Sequence, residues 1–358
     1  MGVRRRLSSL LNMALILSLM WPPAGAHALT PPAQVTQLFE NMSPEERIGQ
    51  LFLVTFTGHD AGPESEIYDL VVNHHVGGVV LMAGNDNFVD SPDTLTEAHR
   101  LIESLQRMEW QSALTPEFDP LTGTEIEREY APLFVGISQE GNGYPTDQIL
   151  NGMTPLPGEM AIGAAWDTDL AMQVGHVLGS ELAALGINLY FGPSLDVLET
   201  PNLAAGNLGT RVFGGDPFWV GEMGRAYVTG LHTGSDGHLV VIAKHFPGRG
   251  GSDRPPEQEV PTIRKSLEQL KQIELAPFFA VTGNAPNLEA TVDGLLLSHI
   301  RYQGISGNIR ATTRPVSFDP QALSQIMGLE QFTGWRLGGG LIVSDDLGSR
   351  AVRYFYAQ

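Results

Sequence analysis

The chain has 358 residues, enough for one large domain or two small ones, and its 42% hydrophobic content suffices for a sizeable core. Lysine and arginine total 21 against 40 aspartate and glutamate, a net charge of −19 that repels phosphate backbones and makes nucleic acid an unexpected partner. There is no cysteine, which excludes disulfides, thiolate catalysis and cysteine-ligated zinc.

Residues 1–28 read as a secretory signal. Arg4-Arg5-Arg6 form the basic region, 10–21 is an apolar run too short to span a bilayer comfortably, and Ala26-His27-Ala28 is a small-x-small cleavage site. The mature chain is expected from Leu29, exported to the periplasm, the cell surface or the medium, with no stable membrane span after cleavage. A helix is expected over 34–49, with Ser43-Pro44-Glu45-Glu46 as a capping sequence. A first strand follows over 50–56, then a helix near 64–74, a second strand over 76–82 and a helix near 92–107. Residues 108–130 show no clear periodicity and are expected to form an inserted loop.

The third strand, 132–137, ends at Ser138-Gln139-Glu140-Gly141. A helix over 168–185 is opened by Asp167 and Asp169. The fourth strand, 188–192, leads to Asp196, and a loop carrying Arg211 precedes a helix over 217–233. The fifth strand, Leu239-Val240-Val241-Ile242-Ala243, is short, apolar and continuous, as for a strand buried on both faces, and ends in Lys244 and His245. Asp253, Glu257 and Glu259 lie in the Gly- and Pro-rich loop beyond. A helix over 266–282, a sixth strand over 294–298, a helix over 320–328 and a seventh strand over 340–344, running into Asp345 and Asp346, complete the pattern.

This alternation argues for a parallel α/β architecture, either a (β/α)8 TIM-type barrel or a doubly wound sheet. No Gly-rich dinucleotide or phosphate fingerprint follows a strand, and the strands end repeatedly in polar residues, so the barrel is favoured. The chain stops at Gln358 soon after the seventh strand. A single barrel domain over 29–358 is therefore expected, truncated before its last strand.

The strand ends collect Glu140, Asp196, Arg211, Lys244, His245, Glu257, His299, Asp345 and Asp346. Two separated carboxylates among cationic donors suit glycoside hydrolysis. A lysine at a strand end also suits Schiff-base chemistry, and the bland alternative is that Lys244 and His245 merely cap a strand in solvent. Glu140, His245 and His299 are in principle metal ligands, but they lack H-x-H or H-E-x-x-H spacing, so no metal is expected.

Several blocks carry a family resemblance. Lys244-His245-Phe246-Pro247-Gly248-Arg249-Gly250 resembles the KHFPGHG motif of family-3 glycoside hydrolases, the bacterial β-N-acetylhexosaminidases in particular. Ile48-Gly49-Gln50-Leu51, Gln139-Glu140-Gly141, 183–188, 193–197, Arg211-Val212-Phe213-Gly214 and Ser344-Asp345-Asp346-Leu347 resemble further family blocks in the same order. The resemblance implies a retaining mechanism without a cofactor, acting on the non-reducing end of a β-linked glycan or small glycoside. Asp345 is implied as nucleophile, with Asp346 as a structural neighbour. Arg211, Lys244, His245, Asp196 and Glu140 are implied around the sugar. The family's Asp-Ser-His acid/base segment falls here on Pro255-Pro256-Glu257, so Glu257 is expected to act as acid/base. Ser138 replaces a family aspartate, and no arginine lies between Gly141 and Pro157, so the N-acetyl sugar stands beside a β-glucosyl alternative. The altered loop also leaves open a non-catalytic glycan-binding barrel.

Overall fold

The computed structural model describes residues 31–119, 123–126, 128–199, 208–256 and 258–357. The signal-peptide segment and Glu257 therefore lie outside the described residues. Among those described, no helix is long and apolar enough to cross a membrane.

Seven strands form one parallel sheet in sequential order: β1 (Leu53–Val54), β2 (Gly78–Val80), β3 (Phe134–Ile137), β4 (Leu189–Ser194), β5 (Val240–Phe246), β6 (Gly294–Leu297) and β7 (Leu341–Ser344). Each neighbouring pair is joined by a helical crossover, as the alternating pattern requires. The sheet curls. Leu53 of β1 and Val343 of β7, from its two edges, pack on one interior cluster of Leu189, Ile242 and Leu296. The larger core lies outside the strands, between sheet and helices. This is a TIM-like barrel with a gap: among the described residues, no strand pairs with the outer edges of β1 and β7.

The helices are α1 (Ala33–Asn41), α2 (Pro44–Gly49), α3 (Glu66–Val72), α4 (Thr94–Ala113), α5 (Glu159–Ala164), α6 (Thr168–Leu185), α7 (Pro217–Gly234), α8 (Leu267–Gln272), α9 (Ala276–Ala280), α10 (Gln303–Ser306), α11 (Pro320–Met327), α12 (Glu330–Leu337) and α13 (Arg350–Tyr356). Helix α6 has the expected bounds because its signals are local. Asp167 accepts the Asp169 and Leu170 N–H groups, and Gly186 ends the helix at φ 89°.

Three expectations change. The helix expected over 34–49 is two helices, since Ser43 takes an extended conformation and forms a reciprocal capping box with Glu46. The helix expected over 266–282 breaks between α8 and α9, where Glu274 turns inward and is fully buried against Lys265. The inserted loop over 108–130 is partly regular: α4 runs on to Ala113, and Glu117–Asp119 pairs antiparallel with Thr124–Ile126.

That insertion is anchored at the N-terminal ends of the strands. The Arg128 guanidinium is buried there, bonding Glu46 Oε1 at 2.9 Å, Ser112 Oγ at 2.6 Å and His75 Nδ1 at 2.5 Å. Glu109 lies in the same cluster, with Oε2 lacking any hydrogen-bond partner. Burial pushes its carboxyl up to about 7, with Arg128 opposing and Glu46 adding to the rise. The folded protein thus holds a proton on Glu109 that the unfolded chain releases from its ordinary value of 4.5. Stability from this group is fully present below pH 4.5 and is lost as pH rises towards 7. Glu109→Gln removes the dependence. Its stability relative to the parent should rise by up to about 3 kcal/mol between pH 4.5 and pH 8, read from urea midpoints, whereas a pH-independent difference would contradict this account.

Candidate active site

The polar ends of β3, β4 and β5 converge on two linked charge clusters. The first centres on Glu140, just after β3. Its buried carboxylate accepts from Arg211 Nε at 2.5 Å and from the other guanidinium arm at 3.0 Å. Lys244 Nζ pairs with Glu140 Oε1 and donates to Ser138 Oγ at 2.8 Å, and that hydroxyl in turn lies 3.2 Å from Glu140 Oε1. Burial opposes ionisation of Glu140, but Lys244 and Arg211 outweigh it and hold the carboxyl well below the usual range. Lys244 does not cap its strand in solvent. It is buried and committed to an ion pair, which argues against Schiff-base chemistry requiring a free amine.

The second cluster centres on Asp196, 0% exposed after β4. It accepts from His245 Nδ1 at 2.6 Å, from the Ser194 hydroxyl at 2.9 Å and from the Arg249 backbone N–H at 2.7 Å. The Arg249 guanidinium is buried 3.9 Å away. Burial and the Arg249 charge pull His245 down to about 4, against the opposing pull of Asp196. The imidazole is therefore neutral at pH 7. Since Asp196 is the acceptor, Nδ1 carries the proton and Nε2 presents a lone pair. Asp196 is held below its ordinary value: burial acts against ionisation, and its His245 and Arg249 partners outweigh it. With Arg249 counted, the two clusters carry one surplus positive charge.

The close fit of the β5 loop fixes this geometry. A side chain at Gly250 would bring its Cβ within 1.7 Å of the Val197 carbonyl, so only glycine lets the loop press against the end of β4. Tyr302 Oη donates to the Gly248 carbonyl at 2.5 Å, and a short parallel ladder joins Thr262–Ile263 to Arg301–Tyr302. Farther along the loop, Arg254 bridges Asp253 at 3.1 Å and Glu259 at 2.7 Å, and Asp253 Oδ1 also accepts the Thr262 N–H at 2.8 Å.

Asp345 follows β7, the sheet edge. Its N–H donates to Leu297 O at 3.0 Å, and its partly exposed carboxylate accepts the Asp346 N–H at 2.9 Å. Among the described residues it has no ion-pair partner. The Asp346 carboxylate closes its own turn on the Gly348 N–H at 2.8 Å. His299 bonds Ser317 Oγ at 2.8 Å and the Asp346 carbonyl at 3.0 Å. Glu140, His245 and His299 thus have separate partners and do not meet as a ligand set. Arg211, Lys244 and Glu140 come together, as do His245 and Asp196; among the described residues no hydrogen bond or ion pair joins Asp345 to either group.

Sequence reasoning missed three residues. Asp147 accepts the backbone N–H groups of Glu140 (2.5 Å), Gly141 (2.9 Å) and Gly143 (2.7 Å), folding the β3 loop back on itself. Glu159 is buried, and its Oε1 accepts the Ser194 N–H at 2.8 Å. Burial, reinforced by the charge of Glu140, pushes its carboxyl well above the usual range. Arg249 was legible only as a departure from a motif. Asp147, amid glycines in a loop, carried a turn signal. Glu159 looked like an ordinary acidic first-turn residue.

The sequence profile of the glycosyl hydrolase family 3 N terminal domain matches residues 43–357. A beta-hexosaminidase from Thiobacillus denitrificans (strain ATCC 25259 / T1) is 30% identical over 223 residues, 61% of this chain and 55% of that protein. One from Nitrosomonas eutropha (strain DSM 101675 / C91 / Nm57) is 28% identical over 286 residues, 78% of this chain and 68% of that protein. Among solved structures, a glycoside hydrolase family 3 beta-N-acetylglucosaminidase from Paenibacillus sp. str. FPU-7 superposes with a TM-score of 0.70 at 28% identity, covering 88% of this chain and 51% of that one. The chain thus spans about half the length of the Thiobacillus and Paenibacillus relatives.

The His245 environment is directly testable. Its ring signals in NMR should stay unmoved from pH 8 to about pH 5.5, the neutral form persisting until close to 4. Arg249→Met removes one of the three causes of that depression, leaving burial and the Lys244 charge, and should move the midpoint upward. A parent protein whose His245 titrates near 6.5 would contradict the assignment.

Proposed function

Because this chain belongs to glycoside hydrolase family 3, through its N-terminal barrel domain, we propose that it is an exported retaining glycosidase acting on non-reducing-end β-N-acetylhexosaminides. The observation that carries this reading is the contrast among the strand-end carboxylates. Glu140 and Asp196 are buried and saturated by cations and donors. Among the described residues Asp345 is partly exposed and has no ion-pair partner, its carboxylate bonded only to the Asp346 N–H, the state a nucleophile needs; Asp346 shares that freedom, and the family resemblance selects Asp345.

In this mechanism the Asp345 carboxylate attacks the anomeric carbon as the bond to the leaving oxygen breaks. Glu257 donates its proton to that oxygen. The same group then accepts a proton from the water that displaces Asp345, restoring both carboxyls to their starting states. Arg211 and Lys244 are cationic donors beside the sugar hydroxyls, and the neutral His245 offers an acceptor. Ser138 stands where the family resemblance implies a sugar-gripping aspartate, and its hydroxyl is engaged by Lys244 and Glu140. The beta-hexosaminidase relatives support the N-acetyl sugar, with β-glucosides as the competing substrate. Export rests on the N-terminal basic and apolar segments.

An activated fluorosugar should leave a mass adduct on Asp345, and Asp345→Asn should lower turnover by roughly 10³-fold or more. Sugar binding with neither adduct nor turnover would make the chain a binding barrel. Glu257→Gln should slow glycosides of poor leaving groups by about 10²–10⁴-fold while sparing well-activated aryl glycosides, the mark of a lost general acid. Equal loss on both would remove Glu257 from that role.

A further inference from the structure

A pair of stacked tryptophans on the barrel rim takes no part in the chemistry above. Trp166 is 67% exposed, and its ring lies on that of Trp219 with centroids 4.7 Å apart and planes 22° apart. Trp219 is the anchored member. It packs against the core, and its ring N–H donates to Gly163 O at 3.3 Å. With one face against Trp219, Trp166 turns the other to solvent. Phe218, beside Trp219, is 71% exposed.

Two further observations distinguish this pair from a casual surface aromatic. Trp166 has φ 52°, a left-handed conformation that glycine or asparagine adopts at far less cost. At that exposure no core packing demands an indole, so a strained backbone holds a bulky ring in water. The position is also specific. Trp166 immediately precedes α6, and Trp219 lies in the first turn of α7. These helices follow β3 and β4, so both residues lie on the face of the barrel where the strands end, on the segments that carry Glu140 and Arg211. Asp167 and Asp169 follow Trp166 in sequence and Asp216 caps α7 on the Trp219 N–H; all three are exposed carboxylates, which disfavour an anionic ligand.

We propose that Trp166, backed by Trp219 and flanked by Phe218, is a second glycan-binding platform, stacking on a neutral pyranose unit of the polymer whose end is cleaved. The flat C–H face of a β-linked pyranose complements the electron-rich face of an indole, and these exposed carboxylates accept hydrogen bonds from its hydroxyls. Tethering a long chain at the rim raises its effective concentration at the catalytic site, and a small glycoside gains nothing from it. The inference rests on the reading of the chain as a glycosidase.

The test uses the full chain, with colloidal chitin and a small aryl N-acetylglucosaminide as probes. Trp166→Ala should lower retention on chitin and turnover of soluble chitohexaose several-fold, with aryl glycoside turnover unchanged. Trp166→Gly should do the same while melting at or above the parent temperature, because it relieves the backbone. Trp166→Phe should restore part of the retention. Retention indifferent to all three would overturn the proposal, as would an equal loss on both substrates with a lowered melting temperature. A change of oligomeric state on size-exclusion without loss of chitin retention would assign the patch to a protein interface and also overturn it. Trp166-dependent retention in a chain that neither hydrolyses nor is labelled at Asp345 would uphold the platform while the glycosidase reading falls. Hydrolysis of chitohexaose insensitive to Trp166 would do the reverse.

Discussion

The site is organised by one buried carboxylate held between two cations. Glu140 stands at the end of β3, Lys244 at the end of β5, and Arg211 on the segment between β4 and α7. Three separate stretches of chain are thereby fixed to one point. A buried ion pair is poor evidence for stability, since desolvation offsets much of the attraction. It is strong evidence for registration, because removing either partner leaves an uncompensated charge in a dry place. The curled sheet brings the strand ends near one another; the Glu140 pairings set how their side chains meet.

The second cluster repeats this logic with a different outcome. Asp196 orders His245 and the backbone of Arg249, and burial together with the nearby guanidinium keeps the imidazole neutral. The same two causes act on the neighbouring Glu159: burial and a like charge, here Glu140, push its carboxyl up, with no cation bonded to it. Glu140 is thus pulled down and Glu159 pushed up within a single network, and the division follows from which of them meets the cations. Glu159 then serves as a polar strut, tying the start of α5 to Ser194 at the irregular end of β4.

How much of this was legible depended on the range of the signal. Helix α6 declared itself because Asp167 and Gly186 act within a turn of their own positions. The buried strand β5 was visible as an uninterrupted β-branched run, and Lys244 and His245 as the polar residues ending it. The break between α8 and α9 was not, since Glu274 turns inward for Lys265, nine residues away, and periodicity does not record that contact. Glu159 was hidden for the same reason: an acidic first-turn residue normally faces water, and only the packing of α5 under β4 dries it. The family resemblance located Glu140, Arg211, Lys244, Asp196 and His245, but not Arg249. The pairing of Glu140 with Lys244 and Arg211, and of Asp196 with His245, emerged only in three dimensions.

The contrast between central and edge strands bears on where reaction can occur. β3 and β4 are flanked on both sides, and the carboxylates that follow them, Glu140 and Asp196, are buried and must be neutralised by partners, which makes them effective at holding geometry and poor at attack. Among the described residues β7 pairs only with β6, and none of its residues is fully buried: Leu341 and Ser344 are exposed, Ile342 and Val343 half-buried. A carboxylate there keeps solvent access without a cation bonded to it, so Asp345 retains the lone pairs that Glu140 and Asp196 have surrendered. Following β7, the fixed backbone bond from Asp345 N–H to Leu297 still ties that freer side chain to β6. The fold therefore separates residues that define the shape of the site from the residue proposed to react in it, and it does so through strand position.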